Sequence, residues 1–519
     1  MNFKRNLLVI SALVGTVFAV AGCVDKKAFV PYTFIPEVID SYQDEVFCGG
    51  AATRLSEYAP YYAKGISESA YEEPPYVNIG SFYDVMTERS RKKIIPAEGE
   101  QKILVIPVEF SDYRIEDRTC STKEYVKNLQ KAFFGTSSNN NYVSVSQYYN
   151  VSSYGKLRIT GKVSEYVYEY PESVTTILTR GGNSNDIRDQ IWTYYDKIIE
   201  DYSRHYDDID EFKLHPGEDV DYDVPLYLVY NYPADALTNK NNFFWNFTFP
   251  EKCLSWSSYH SLNIINDKPD AHTFIHEVGH LFGLVDYYPT EIQSDSDVII
   301  EPVGCIDMMD SSVGDHTAFS KMQLNWLRPI HITNSCEITI SALANKGDVI
   351  LLNDNWNGSV FDEYYLLEFY SPTGLNTFDV VYGNDKVKLP QMPGIKVYHV
   401  DATLGYYDRE NASIRNKYVL KGFCETGGFD PLKTKIDFVR DNTNYKKVVG
   451  NETTDNYLYE LVYNVYDAAI PEVASDEHLF HLGDSFSKFR MNGQRFANYR
   501  VTITNLNYRE VTLKFEKTN

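Results

Sequence analysis

The segment from residue 270 to residue 288 constrains the fold of this chain more than any other. It places His276 and His280 four residues apart, with Glu277 directly after the first histidine. On an α-helix this spacing is one turn plus about 40° of rotation, so both imidazoles project from one face towards a common point. Two neutral imidazoles at that separation suit a tetrahedral zinc ion. Glu277 lies about 100° around the helix from His276, where it reaches a water molecule on the metal rather than the metal itself.

The continuation of the segment supplies a third metal ligand. Gly283 lies three residues past His280, where a glycine adopts the left-handed turn that ends a helix. The chain then returns and presents Asp286 to the metal. The competing candidates for this ligand are His316, Glu291 and Glu301.

Such a centre predicts hydrolysis by an activated water molecule. Zinc with three protein ligands leaves one position for water and lowers its pKa towards neutrality. Glu277 is then the general base, which takes the proton as the water attacks a peptide carbonyl and passes it to the leaving amine. Tyr287 and Tyr288 are candidates for donating a hydrogen bond to the oxyanion.

A pair of methionines about 20 residues downstream is a candidate support for the metal site. Metzincins place a methionine in a tight turn beneath the zinc. Met309 is the candidate for this position, and Met308 is the alternative. Either methionine would act through packing rather than through chemistry.

These motifs and their surroundings resemble the immune inhibitor A-like family of bacterial metallopeptidases, a metzincin-related group. The resembling segments are residues 104–110, 146–163, 245–249, 276–288, 307–309, 316–326, 363–368 and 393–401. The resemblance implies a zinc endopeptidase in which His276, His280 and Asp286 bind the metal and Glu277 is catalytic. Two positions depart from the family pattern, Ile306 before the methionine turn and Phe319 in the following helix, and both are packing substitutions.

The N-terminus has the features of a bacterial export signal. Lys4 and Arg5 precede an apolar stretch over residues 7–20, which is too short for a comfortable transmembrane helix. The stretch ends in small residues followed by Cys23, which resembles the lipobox of bacterial lipoproteins. We therefore expect lipidation of Cys23 and a location at the extracellular face of a bacterial cell membrane, with release from the anchor left open.

Composition excludes one class of partner and leaves the cysteine chemistry open. The net charge of -23 argues against nucleic-acid binding, which requires a basic face. The expected partners are extracellular protein or peptide substrates and, through the anchor, the membrane. The six cysteines after Cys23 allow 15 disulfide connectivities, none of which the sequence selects, and free buried thiols are an equally good interpretation. Acidic loops such as the one with Asp295 and Asp297 are compatible with calcium, but that spacing is common in solvated loops, so we claim only zinc.

The distribution of apolar residues predicts an α+β protein in several parts. After the signal, residues 24–98 form a proline-rich N-terminal segment, either a tether or a propeptide cleaved at the basic run 89–93. Residues 99–330 alternate strands and helices and are the expected zinc metallopeptidase domain, with a metzincin-like mixed sheet and an active-site helix. Residues 331–519 contain short strands between turns, which predicts an all-β, sandwich-like region.

Two rival functions remain open at this level. The first is a catalytically silent surface protein that retains the zincin fold for binding, which the presence of Glu277 and both histidines disfavours. The second is a zinc hydrolase of a non-protein substrate, which the helix alone permits and the family resemblance disfavours.

Overall fold

The chain is a mixed α/β protein with mixed sheets. Its computed structural model describes residues 44–59, 61–64, 76–79, 94–136, 142–180, 190–191, 193–218, 223–234, 243–260, 269, 271–287, 303–310, 313–382, 389–402, 404–407, 417–420, 436–437, 445–449, 452–456, 459–461, 474–491 and 495–518. The expected signal sequence, Cys23 and the basic run 89–93 lie outside these residues. Among the described helices, none has both the length and the apolar character needed to cross a bilayer.

The secondary structure in chain order is as follows. The strands are β1 (Glu45–Phe47), β2 (Ala52–Arg54), β3 (Tyr61–Lys64), β4 (Tyr76–Ile79), β5 (Gly99–Phe110), β6 (Leu157–Val163), β7 (Tyr168–Tyr170), β8 (Leu226–Tyr230), β9 (Phe247–Phe249), β10 (Leu254–Ser258), β11 (Ile330–Ile332), β12 (Cys336–Ser341), β13 (Val349–Leu352), β14 (Glu363–Tyr370), β15 (Gly394–Asp401), β16 (Leu404–Tyr407), β17 (Lys417–Leu420), β18 (Ile436–Asp437), β19 (Tyr445–Val449), β20 (Glu452–Asn456), β21 (Tyr459–Leu461), β22 (Ser485–Met491), β23 (Arg495–Leu506) and β24 (Glu510–Lys517). The α-helices are α1 (Ile115–Arg118), α2 (Thr122–Phe134), α3 (Val145–Ser152), α4 (Val174–Arg180), α5 (Tyr195–Ser203), α6 (Ala271–Leu281), α7 (Ala318–Gln323), α8 (Leu343–Lys346) and α9 (Thr377–Tyr382). Short 3-10 turns occur at Cys48–Gly50, Ile209–Phe212, Pro250–Lys252, Gly374–Asn376 and Asp476–His478.

A six-stranded sheet forms the base of the N-terminal half of the fold. Its order is β6-β5-β8-β10-β9, with β7 paired to β5. Neighbours run parallel except β9, which is antiparallel to β10 at the sheet edge. Ile103 and Val105 of β5 face a core shared with α2, α3 and α6, whereas Leu104 and Ile106 face a core shared with α4 and α5. A strand buried on both faces has a continuous apolar run, and residues 103–106 of β5 form such a run.

A seven-stranded sheet contributes one face to the buried core that also contains residues of α2, α3 and α6. Its order is β1-β2-β11-β13-β14-β15-β21, and β11 and β13 are parallel while the other neighbours are antiparallel. Val349 and Leu351 of β13 belong to the core that also contains the apolar face of α6. Ile350 and Leu352 alternate with them and face the opposite side.

A four-stranded antiparallel sheet, ordered β12-β24-β23-β22, covers that opposite side. The two sheets share one buried core, to which Ile350 and Leu367 contribute from the larger sheet and Val501 and Phe515 from the smaller. The short strands expected after residue 330 are therefore present within the described residues.

Part of the N-terminal segment belongs to the seven-stranded sheet. β2 pairs antiparallel with β11 and β1 pairs with β2. Ala52 is fully buried, and the guanidinium of Arg54 lies 2.5 Å from a carboxylate oxygen of Asp348. Residues 44–59 are thus built into the fold at a site that the sequence did not indicate.

A buried ion pair connects the seven-stranded sheet to the region of the candidate site. The ammonium of Lys396 in β15 lies 2.5 Å from Oε1 of Glu368 in β14, and both side chains are almost completely buried. The second oxygen of Glu368 accepts a hydrogen bond of 2.8 Å from the N–H of Ala318, the first residue of α7. One carboxylate therefore fixes both a cross-strand pair and the start of a helix.

We predict that Lys396→Met destabilises the protein by about 3–5 kcal/mol, because the carboxylate of Glu368 would stay buried without its cation. The measurement is the urea unfolding midpoint, followed by tryptophan fluorescence. The control is Lys514→Met, which removes an exposed pair with Glu516 and should leave the midpoint unchanged. Equal changes in both variants would contradict a special role for the buried pair.

Candidate metal centre

Helix α6 fixes the direction in which the two histidines point. One face of α6 is buried in the core by Phe274, Ile275, Val278 and Leu281. Because this face is held, His276 and His280 lie at the margin of the core, with 13% and 14% of their side chains exposed. Their rings are therefore mostly desolvated yet reachable from one side.

A glycine turn returns the chain to the histidines. α6 ends at Leu281, and Gly283 has a left-handed φ of 89° while its N–H bonds to the carbonyl oxygen of His280 at 2.9 Å. A non-glycine residue adopts this conformation only at a cost. The turn brings Asp286 next to the helix, so that one ligand atom from each of His276, His280 and Asp286 lies within 4.8 Å of the others.

The hydrogen bonds of the two rings decide which nitrogen faces Asp286. Nδ1 of His276 lies 2.7 Å from the carbonyl oxygen of Met308, and Nδ1 of His280 lies 2.8 Å from that of Leu284. A carbonyl oxygen only accepts, so each Nδ1 must carry the hydrogen. Each Nε2 then faces Oδ1 of Asp286, at 3.1 Å and 3.2 Å. In neutral rings these three atoms offer only lone pairs, so their convergence requires a proton or a metal cation between them.

Without a metal, the charges of the cluster favour protonated histidine. Burial acts to lower the pKa of His280, but the carboxylate of Asp286 outweighs it and raises that pKa to about 9. The pKa of His276 is also raised, because its hydrogen bond to Asp286 outweighs the effect of burial. Burial acts to raise the pKa of Asp286, but the two histidines hold it well below its ordinary value. Metal binding must therefore displace protons from this site.

Glu277 lies beside the cluster and has its own hydrogen-bond partner. Its side chain is buried, and Oε2 lies 2.8 Å from the hydroxyl of Thr248, in the middle of the edge strand β9. The same hydroxyl lies 2.8 Å from Oγ of Ser255, which can donate to it while Thr248 donates to the carboxylate. Burial is the main cause of a raised pKa at Glu277, against the opposing effect of the two histidines.

Thr248 was missed by the sequence reasoning. It lies in a segment, residues 245–249, that was noted only for its family resemblance. The available signal was alternation, because a threonine between Phe247 and Phe249 points to the opposite side of a strand from both rings.

Met309 packs directly beneath the helix. A β-carbon on Gly279 would overlap Sδ of Met309 and would approach the hydroxyl of Tyr149 to 3.3 Å. Gly279 lies between Glu277 and His280, so the absent side chain makes room for the methionine at the turn that carries the candidate ligands. The backbone of Met309 is also fixed, since its carbonyl accepts a hydrogen bond of 2.9 Å from the N–H of Tyr287.

A buried carboxylate anchors the turn that contains Met308 and Met309, here called the methionine turn. Asp307 is inaccessible to solvent, and its Oδ1 accepts from the N–H of Met309 at 2.8 Å. Its Oδ2 accepts from the N–H and hydroxyl of Thr317, both at 2.7 Å, and from the hydroxyl of Ser320 at 2.9 Å. These contacts tie the turn to the start of α7 and thereby fix the carbonyl of Met308 that bonds to His276.

The other sequence candidates do not join the cluster within the described residues. His316 is buried, with Nδ1 3.3 Å from Oδ1 of Asp307 and its ring against Tyr148 and Trp326. Glu291, Glu301, Tyr288 and the acidic pair Asp295 and Asp297 lie outside the part of the chain that the structure describes.

The structure places Tyr287, one of the two candidates for the oxyanion contact, away from the cluster. Its hydroxyl is buried, 2.8 Å from Oγ of Ser320, and it accepts a hydrogen bond of 2.7 Å from the amide of Gln323. Asp286 faces the histidines, whereas the side chain of Tyr287 is buried against α7, which contains Ser320 and Gln323.

No protein-family model matches the sequence, and no curated protein matches it significantly. The function of the chain is therefore inferred from the residues of the site and from the motifs.

We predict that Gly279→Ala destabilises the protein by about 1–3 kcal/mol through overlap with Met309, although alanine alone favours a helix. The measurement is the thermal unfolding midpoint of the single variant. In a Met309→Ala background the same substitution should be tolerated, because the overlapping atom is gone. An equal loss in both backgrounds would show that Met309 is not the contact that requires the glycine.

Proposed function

We propose that the chain is a zinc-dependent endopeptidase that hydrolyses peptide bonds of extracellular proteins. His276, His280 and Asp286 would hold the metal, and Glu277 would act as general base. The observation that carries the proposal is the convergence of two imidazole Nε2 atoms and one carboxylate oxygen beside a buried glutamate. The motifs that resemble the immune inhibitor A-like family support the choice of peptide substrates.

The donor set favours zinc among the common divalent ions. Two imidazole nitrogens with one carboxylate form a three-ligand set of the kind found in catalytic zinc sites. Calcium and magnesium prefer oxygen ligands. The Nδ1 hydrogen bonds to the carbonyl oxygens of Met308 and Leu284 support this choice, because metal-binding histidines usually donate their second N–H to such an acceptor. When bound, zinc supplies Lewis acidity that activates water and polarises a carbonyl group.

Glu277 would move the proton in this reaction. Its raised pKa makes it a stronger base than an exposed glutamate, and a general base is most effective with a pKa near the working pH. It would take a proton from the attacking water and deliver it to the leaving amine. The hydroxyl of Thr248 would hold the carboxylate in one orientation during both transfers.

The proposal also includes the type of each domain and the cellular location of the protein. A metzincin-like zincin domain over residues 99–330 is supported by the packing of Met309 beneath α6 and by the antiparallel edge strand β9. A β-sandwich over residues 331–519 is supported by the core that two sheets share. The export signal and Cys23 support a lipid-anchored protein at the extracellular face of a bacterial membrane.

We predict that zinc binds at about one ion per chain and releases at least one proton at pH 7. The reason is that the metal must replace the proton that His280 holds below a pKa of about 9. The apparent affinity should therefore rise with pH up to that value, by about tenfold per unit for each displaced proton. Calorimetric titration of the metal-free protein in two buffers of different ionisation enthalpy measures the number of protons.

The matched control for zinc binding is His276→Ala, which removes one ligand and should abolish stoichiometric binding. If the wild type binds zinc with an enthalpy that is the same in both buffers, no proton is released. That result would contradict the charge state inferred for the metal-free cluster. A folded wild-type protein that takes up no zinc would instead favour the silent binding protein.

We predict that Glu277→Gln keeps the zinc and the fold but lowers kcat for an unfolded protein substrate by about 10²–10⁴-fold, because the proton acceptor is lost. The measurement combines zinc content with the rate of proteolysis of a denatured protein. Thr248→Val, which removes only the hydroxyl beside Glu277, should lower kcat less and leave zinc content unchanged. Full turnover by the glutamine variant would refute the role of Glu277.

A further inference from the structure

Two cysteines that are far apart in the sequence lie next to each other in the fold. Cys48 begins the turn Cys48–Gly50 between β1 and β2, and Cys336 is the first residue of β12. The thiol of Cys48 lies 3.0 Å from the carbonyl oxygen of Glu337, the residue after Cys336. Both cysteines are free thiols here, and Cys48 is exposed.

The backbone on both sides holds the two thiols in place. The carbonyl oxygen of Ala51 accepts from the N–H groups of Thr333 and Asn334, at 2.9 Å and 3.2 Å. These bonds join the turn after Cys48 to the segment just before Cys336. The pairing of β2 with β11 fixes the same turn from the other end. The proximity of the thiols thus follows from the sheet and is not a chance meeting of two surface loops.

The two side chains also interact directly. Burial raises the pKa of Cys336 to about 12, and the neighbouring thiol of Cys48, which hydrogen-bonds to it, contributes to the rise. Cys336 is only partly buried, so an oxidant can reach the pair from the side of the exposed Cys48.

We infer that Cys48 and Cys336 form a disulfide bond that fastens the N-terminal segment to the C-terminal β-region. The two thiols lose two protons and two electrons to a disulfide oxidant, which is reduced to two thiols as the new S–S bond forms. The inference relies on the export that is part of the proposed function, since disulfides persist in oxidising compartments. It does not depend on metal binding or catalysis.

The disulfide bond would determine whether the N-terminal segment stays attached to the rest of the chain after cleavage. Cleavage at the basic run 89–93 would break the chain between Cys48 and the domain that starts near residue 99. With a disulfide to Cys336 in place, the lipid-bearing fragment would stay covalently attached after such a cut. The segment would then serve as a tether whether or not it is cleaved.

The first test is peptide mapping of the purified full chain after incubation with oxidised glutathione. Free thiols are alkylated under denaturing conditions, and the chain is digested with trypsin without reduction. We expect a cross-linked species that joins the peptide containing Cys48 to the one containing Cys336 and that disappears on reduction. Cys48→Ser and Cys336→Ser should each abolish it, whereas Cys120→Ser, which removes a cysteine elsewhere in the fold, should retain it.

The second test measures stability, so that a folding defect in a variant is not mistaken for a missing bond. Reduction should lower the Tm of the oxidised wild type by several degrees but should not change the Tm of Cys48→Ser. Zinc binding, measured on the same samples, reports the metal centre separately and should survive reduction. Alkylation of both Cys48 and Cys336 in the oxidised sample, or a link from Cys48 to a different cysteine, would overturn the inference.

Discussion

The candidate site depends on two hydrogen bonds from histidine rings to backbone carbonyl oxygens. These bonds hold a hydrogen on Nδ1 of His276 and of His280, which leaves each Nε2 as the ring atom that meets Asp286. Without them, either ring could turn or change tautomer, and the three atoms would no longer require a cation between them. The carbonyls come from different parts of the chain, Leu284 in the turn after the helix and Met308 in the methionine turn. Both turns must therefore be formed before the two Nε2 atoms can face Asp286.

The position of the methionine turn depends on elements that are far from the candidate metal ligands. Asp307 fixes the turn by accepting hydrogen bonds from residues at the start of α7. The first N–H of that helix is held by Glu368, whose charge is balanced by Lys396 in the next strand. A chain of buried polar contacts thus leads from the seven-stranded sheet to the carbonyl that orients His276. Strands β14 and β15, which come after residue 330, therefore help to support the candidate site.

The parts of the site that could be predicted are those encoded within a few residues. The spacing of His276, His280, Gly283 and Asp286 predicts a helix, a left-handed turn and a returning ligand, because each step depends on local backbone geometry. Thr248 depends on the pairing of an edge strand with its neighbour and on how α6 crosses that strand. Alternation along the strand shows only that Thr248 points away from the rings of Phe247 and Phe249, and no local pattern shows that it meets Glu277.

The contacts of the N-terminal segment could not be predicted from the sequence for the same reason. β2 pairs with a strand about 280 residues later in the sequence, and three-residue strands have no pattern strong enough to reveal a partner. Tyr287 shows the opposite case, because it is next to Asp286 in sequence while its hydroxyl is bound to Ser320 and Gln323 of α7, away from the cluster. Proximity along the chain alone therefore does not place a side chain in the site.

The charge balance of the metal-free cluster bears on the order of folding and metal binding. A bare group of three acceptor atoms in a mostly buried position would repel itself and oppose folding. Here the carboxylate of Asp286 raises the pKa of His280 to about 9, so the cluster carries its own cation at neutral pH. The opposite charges of Asp286 and His280 therefore compensate each other in the metal-free cluster. We therefore expect the protein to fold first and to exchange protons for the metal afterwards.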